Sequence, residues 1–140
     1  MKIIFTNGCF DVLHAGHVKL LEYCYSLAHK TPGGSGKVVV GLNSDDSVKR
    51  IKGSHRPFNC ESDRVCVLEA LRYVDEVTIF NEDTPHNLID SISPDVIVKG
   101  GDYTKGQVIG GRDYEVKIFD YIPNLSSTNI LKKVNEDMLD

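Results

Sequence analysis

The chain carries no excess of positive charge. Sixteen lysines and arginines stand against twenty acidic residues, a net charge of −4. No overall positive field therefore invites a nucleic acid, and any phosphate site has to be built from local groups. Long apolar runs are absent too: none approaches membrane-spanning length, so no membrane partner is expected. The apolar stretch of the opening MKIIFTNGCFD is too short for the core of a secretory leader. Four cysteines (Cys9, Cys24, Cys60, Cys66) form no CxxC pair and no His/Cys cluster at zinc spacing. Cys24 and Cys66 fall on helical apolar patterns, which predicts buried thiols and a reduced, cytoplasmic setting. The 140 residues suffice for one core, read as a single domain over 1–140.

What is present is an alternation of strand and helix patterns. KIIFT (2–6) reads as a strand, and Leu20, Leu21, Cys24, Leu27 and Ala28 then repeat at helical spacing until TPGGSG (31–36) breaks the pattern. KVVVGL (37–42) is a continuous β-branched run, suited to a parallel strand buried on both faces. A short helix over 44–50 leads into the basic loop KRIKGSHRP. Asn59 is the expected cap of the next helix, with Val67, Ala70, Leu71 and Val74 on one face. EVTIF (76–80) is a third strand. Asp83 or Thr84 is then expected to cap a helix with Pro85 at its first position. DVIVKGG (95–101) and EVKIFDY (115–121) are further strands, and SSTNILKKV opens a last helix. Five strands separated by helices predict a parallel sheet covered on both faces, a three-layer α/β fold.

Ligands of such sheets bind beyond the carboxyl ends of the strands, where the strand order reverses. The glycine and polar clusters at 6–17, 43–57, 99–103 and 126–129 all follow strands. The first, TNGCFDVLHAGH, is neither the GxxxxGK[ST] nor the GxGxxG phosphate loop. Gly8 and Gly16 permit close approach of backbone to a ligand, and the segment feeds a helix N-terminus, which favours anions. His14 and His17 are placed to donate hydrogen bonds to phosphate oxygens. Two histidines at a helix start are otherwise ordinary surface groups, and Asp11 is otherwise an Asx-turn residue. In KGGDY, Gly100 and Gly101 allow a tight turn, Asp102 can accept from a ribose hydroxyl, and Tyr103 can flank a base. Ser126, Ser127 and Thr128 can cap the last helix and cradle the β- and γ-phosphates of a nucleotide.

GCFDVLHAGH resembles the HxGH signature of the nucleotidyltransferase superfamily. Two further stretches, VGLNSDDSVKRIKGSHRPFNCESDR and NEDTPHNLIDSISPDVIVKGGDY, are similar to the adenylyltransferases that act on D-glycero-β-D-manno-heptose 1-phosphate. The resemblance implies a Rossmann-like nucleotidyltransferase fold with a five-stranded parallel sheet. It implies that His14 and His17 meet the nucleotide phosphates, with Lys52 as a further catalytic group. Asn7, Gly8, Cys9, Phe10, Gly100, Asp102, Tyr103, Ser126, Ser127 and Thr128 would then border the nucleotide, and Asp11, Lys52, Arg56 and Arg64 the acceptor. It implies ATP, a sugar phosphate, and Mg²⁺ carried by the nucleotide phosphates without direct protein ligands. A homodimer is expected, with LRYVDEVTIF as its patch. RYVDEV (72–77) reads more like a cytidylyltransferase acting on glycerol 3-phosphate or a similar alcohol phosphate. A nucleotide-binding sensor without turnover is the non-enzymatic alternative.

Overall fold

The computed structural model describes residues 1–30, 34–101, 108, 110, 113–120 and 133–134. Alternate residues of the first strand, β1 (Lys2–Gly8), are buried on opposite faces, as a central strand requires. Ile4 packs with Val38, Val96 and Val98 under Cys24, Leu27 and Ala28 of helix α1 (Ala15–Ala28). Phe5 faces the other way, against Val39, Ile97, Val116 and Ile89 of helix α4 (His86–Ile92). A third cluster joins Phe10, Leu21, Val40 and Leu42 to Leu68 of helix α3 (Glu61–Glu69). Helices thus cover both faces of one sheet, the predicted three-layer arrangement.

The remaining strands are β2 (Gly36–Asn43), β3 (Glu76–Phe80), β4 (Val96–Gly100) and β5 (Glu115–Phe119), all parallel in the order β3-β2-β1-β4-β5. The order runs outward one way through β2 and β3 and the other way through β4 and β5, so the switch point is the seam between β1 and β4. That seam is also where the sheet parts. β1 pairs β2 along its whole length, from Lys2↔Gly36 to Gly8↔Leu42. β4 and β5 likewise pair through Gly100↔Phe119. Between β1 and β4 the register comprises only Ile4↔Val96 and Phe5↔Ile97. The carboxyl ends of these two strands carry Asn7, Gly8, Lys99 and Gly100 beyond that pairing.

Several local expectations are corrected. Cys24 is buried, but Cys66 is exposed, as is Val67 at 49%. The α3 face that turns inward carries Arg64 and Leu68 instead. Asn59 does not cap α3; Cys60 occupies that position without a side-chain bond, and the Asn59 side-chain N–H donates to the Asp11 carbonyl at 2.7 Å. Pro85, not Asp83 or Thr84, is the N-cap of α4, and Asp83 instead accepts from Arg50 Nε at 2.8 Å. Helix α2 (Asp45–Lys52) forms as expected, with the Ser44 hydroxyl accepting the Ser47 N–H at 3.1 Å. The expected last helix falls almost wholly outside the described residues. Among the described residues no helix is long and apolar enough to cross a membrane.

Candidate active site

The chain leaves β1 at Gly8 and turns sharply. Phe10 takes a positive φ of 45° that tucks its ring into the core. At Gly8 a Cβ would stand 3.1 Å from the Phe10 ring, close enough to press on it. The missing side chain of Gly8 therefore makes room for Phe10. The chain then enters α1 at His14 in extended geometry.

Here the two histidines form a reciprocal cap. His14 Nδ1 accepts the Gly16 N–H at 3.0 Å, and His17 Nδ1 accepts the His14 N–H at 3.2 Å. This is the capping box, with imidazoles in both of its side-chain roles. An Nδ1 that accepts cannot carry the proton, so each neutral ring is the Nε2–H tautomer. Both rings stay neutral at pH 7. Burial lowers the His14 pKa, and burial together with the neighbouring His14 takes His17 down to about 4. The rings lie 3.9 Å apart between centroids, and His17 packs 5.3 Å from Phe10. The cap consumes the Gly16 N–H that a bare helix end would offer an anion. Each ring keeps its Nε2–H as a donor not used by the cap.

Asp11 ties this turn to the basic loop. Its carboxylate accepts the backbone N–H groups of Phe58 and Asn59 at 2.9 Å each and the Arg56 Nε at 2.9 Å. Burial alone would raise the Asp11 pKa. The backbone N–H bonds of Asn59 and Phe58, then the Arg56 bond and charge, outweigh it and hold the group low. Asp11 is thus a latch between two loops, with its side chain fully buried.

Arg64 does the same from below. It is 1% exposed and donates to the carbonyls of Asn59 (2.9 Å), Cys9 (2.8 Å) and Asn43 (2.8 Å), and to the Asp45 carboxylate (2.8 Å). Three loops hang on one guanidinium. With four of its donors engaged inside the protein, Arg64 is a positioning residue, which differs from the acceptor contact that its motif implies.

Lys52 ends α2 on the exposed side of this rim. Burial raises the Cys9 pKa against the opposing charges of Lys52, Arg64 and Arg56, so Cys9 is a neutral thiol. Arg50, by contrast, is turned away and pairs with Asp83 and the Asn81 carbonyl. The structure therefore gathers Asn7, Gly8, Cys9, Phe10, Asp11, His14, His17, Arg56 and Arg64 around the end of β1, with Lys52 on the rim and Gly100 across the seam. Asp102, Tyr103, Ser126, Ser127 and Thr128 lie outside the described residues. Among the described residues no cluster of His, Cys, Asp and Glu could hold a metal ion.

The profile of the cytidylyltransferase-like family matches residues 5–133. The chain belongs to that family. It is 52% identical over 137 residues to the bifunctional protein HldE of Campylobacter concisus strain 13826, covering 96% of this chain and 27% of that protein. HldE of Campylobacter fetus is 48% identical over 133 residues, covering 94% and 28%. The chain thus spans about a quarter of the length of these curated relatives. A solved structure of the lipopolysaccharide core biosynthesis protein from Thermoplasma volcanium superposes with a TM-score of 0.69 at 23% identity, covering 87% of this chain and 97% of that one. That likeness is one of fold.

Two residues near the turn lie in the quoted stretches without being singled out by them as site groups. Asn59 becomes part of the Asp11 latch only through contacts made across 48 positions of sequence. Lys99 sends its ammonium to the Asn7 carbonyl at 3.0 Å and the Asn7 side-chain oxygen at 3.4 Å. Burial pulls its pKa down to about 8, against an opposing effect of Cys9. KGGDY marks that loop in the sequence, but a strand-end lysine gives no sign of which strand it will reach.

Proposed function

We propose that the chain is a nucleotidyltransferase that joins an NMP to a sugar phosphate, with ATP and D-glycero-β-D-manno-heptose 1-phosphate giving ADP-heptose. An acceptor phosphate oxygen attacks the α-phosphorus of the NTP in line, and pyrophosphate leaves with the electron pair of the broken P–O bond. One observation carries this reading: two neutral imidazoles, each fixed as an Nε2–H donor, stand at the end of β1. Neutral donors of fixed direction suit phosphate oxygens that gain charge in the transition state, because they need no reorganisation at that moment. Lys52 and Arg56 supply positive charge at the rim, and the Asp11 latch holds the loop that bears Arg56 against the phosphate turn. Positioning and electrostatic stabilisation then account for catalysis without a covalent enzyme intermediate.

At the turn the one carboxylate, Asp11, is engaged by Arg56 and two backbone N–H groups, so no carboxylate is left free there for a hard cation such as Mg²⁺. Mg²⁺ would be carried by the triphosphate, where it would neutralise phosphate charge. The choice of ATP and a heptose phosphate rests on KGSHRP, EDTP and VKGGDY, supported by relatives near 50% identity over almost the whole chain. A cytidylyltransferase acting on glycerol 3-phosphate is the second reading, favoured by RYVDEV.

Pyrophosphate release measured over a panel of NTPs and acceptor phosphates tests both. ATP with heptose 1-phosphate is expected to exceed CTP with glycerol 3-phosphate by at least tenfold in kcat/KM, the size of about 1.4 kcal/mol. The reverse order moves the chain to the second reading. Nucleotide binding without turnover on any acceptor makes it a sensor. We further propose a symmetric homodimer through the segment 71–80; light scattering showing only a 15.6 kDa species at micromolar concentration contradicts it. A cytoplasmic setting accords with four free cysteines.

A further inference from the structure

The sheet is continuous on either side of the β1/β4 seam and open within it. Pairing between these strands stops at Phe5↔Ile97, although β1 runs on to Gly8 and β4 to Gly100. Strands that part at their carboxyl ends leave a crevice, and in this topology the crevice is the ligand site. Beyond the last ladder pair, Lys99 ties the two strand ends together. By strand alternation Lys99 lies on the same face of β4 as Ile97, and Asn7 on the same face of β1 as Phe5. The ammonium bridges the opening to the carbonyl and side-chain oxygens of Asn7. Asn7 is the residue from which the Gly8–Cys9–Phe10 turn departs, and the Cys9 carbonyl at the far side of that turn is held by Arg64 at 2.8 Å. The turn is thus pinned at both ends by cations, Lys99 on the seam side and Arg64 on the α3 side.

We propose that Lys99 is a positioning residue for nucleotide binding, clamping Asn7 across the open seam so that the Gly8–Cys9–Phe10 turn is set before the nucleotide arrives. The proposal rests on the nucleotidyltransferase reading above. It assigns Lys99 to assembly of the nucleotide pocket and not to the chemical step. Bonds from an ammonium to two uncharged oxygens at a parted seam keep the turn from sampling other positions, and a preset pocket binds more tightly because less ordering remains to be done on binding.

The test uses the full chain. Titration calorimetry measures binding of Mg·ATP and Mg·CTP to the unaltered protein, to Lys99→Met, which keeps the stem and loses the ammonium, and to Lys99→Arg, which keeps a cationic donor. Steady-state kinetics with saturating acceptor accompany the titrations. Lys99→Met is expected to weaken nucleotide binding and raise the nucleotide KM tenfold or more, with kcat and the acceptor KM within threefold. Lys99→Arg is expected to stay within threefold in all of these. Binding by Lys99→Met within threefold of the unaltered chain overturns the proposal, as does a kcat that falls with KM unchanged. If Lys99→Met does not fold, Lys99→Arg decides: a folded variant within threefold in affinity supports the clamp, and a loss beyond tenfold overturns it. Failure of the unaltered chain to bind any nucleotide overturns the nucleotidyltransferase reading itself and the clamp with it. Unchanged binding in Lys99→Met overturns the clamp alone.

Discussion

His17 Nδ1 accepts the backbone N–H of His14 at 3.2 Å, so the second histidine of the turn closes the helix cap that the first one opens. The cap uses Nδ1 and the proposed phosphate contact uses Nε2–H, so substitution can separate the two. Asn is as good an N-cap as any residue. His14→Asn is expected to leave stability within about 0.5 kcal/mol and remove one Nε2–H donor. His17→Gln keeps an acceptor at the third helical position of the capping box. Each variant, and His17→Ala, should lose about 10²–10³ in kcat, roughly 3–4 kcal/mol of transition-state stabilisation. Thermal melts beside pyrophosphate release check this; near-normal turnover in a stable His14→Asn would reduce the pair to a structural cap.

The same histidine sets part of the acid sensitivity. His17 titrates near 6.5 in the unfolded chain and about 4 in the folded one. Between those values the unfolded chain holds a proton that the folded chain refuses, so His17 lowers stability progressively as pH falls through that window. Above pH 6.5 it contributes no pH dependence. Melting temperatures at pH 7.5 and pH 5 should therefore diverge more for the unaltered protein than for His17→Gln. Parallel shifts in the two proteins would rule out this source.

Asp11 acts in the opposite sense. Its folded pKa lies below its unfolded value of about 3.9, so its stabilisation is fully present above the unfolded value and disappears as pH falls through the folded one. Asp11→Ala leaves the Phe58 and Asn59 N–H groups and the Arg56 guanidinium without their acceptor. Breaking a buried pair of this kind costs about 3–5 kcal/mol, and Arg56 is only 13% exposed. Urea unfolding at pH 7 measures that cost. The difference between the two proteins should shrink as pH drops below about 4.

Arg64→Lys tests whether one guanidinium holds three loops. A lysine cannot donate from separated nitrogens to the Asn59, Cys9 and Asn43 carbonyls and the Asp45 carboxylate together. Each hydrogen bond to a charged group is worth about 1.5–3 kcal/mol, so a loss of about 3 kcal/mol or more is expected. A melting temperature unchanged by this substitution contradicts the role.

Local pattern determined much of this molecule. The β-branched run KVVVGL forms a central strand because both its faces are apolar and both are covered. HAGH marked a turn between a strand and a helix, and the structure places both imidazoles there as the cap of α1. What pattern could not decide depends on distant partners. Val67 follows a helical apolar spacing yet faces solvent, because α3 turns inward on Arg64, whose four acceptors lie on segments far apart in sequence. Asn59 has the chemistry of a cap, but α3 begins one residue later, at Cys60, and the Asn59 side chain donates to the Asp11 carbonyl. Arg64 reads from sequence as a ligand group or an exposed helix arginine, because charge is legible there and burial is not; for Asp11 the sequence leaves a ligand role and a loop-holding role both open. Lys99 became significant only when β4 was placed beside β1, with the seam between them open at one end. Periodicity fixes which face of an element is apolar; which charged group fills the gap between two elements is settled only when the elements meet, because hydrogen bonds act over about 3 Å and carry no trace in spacing.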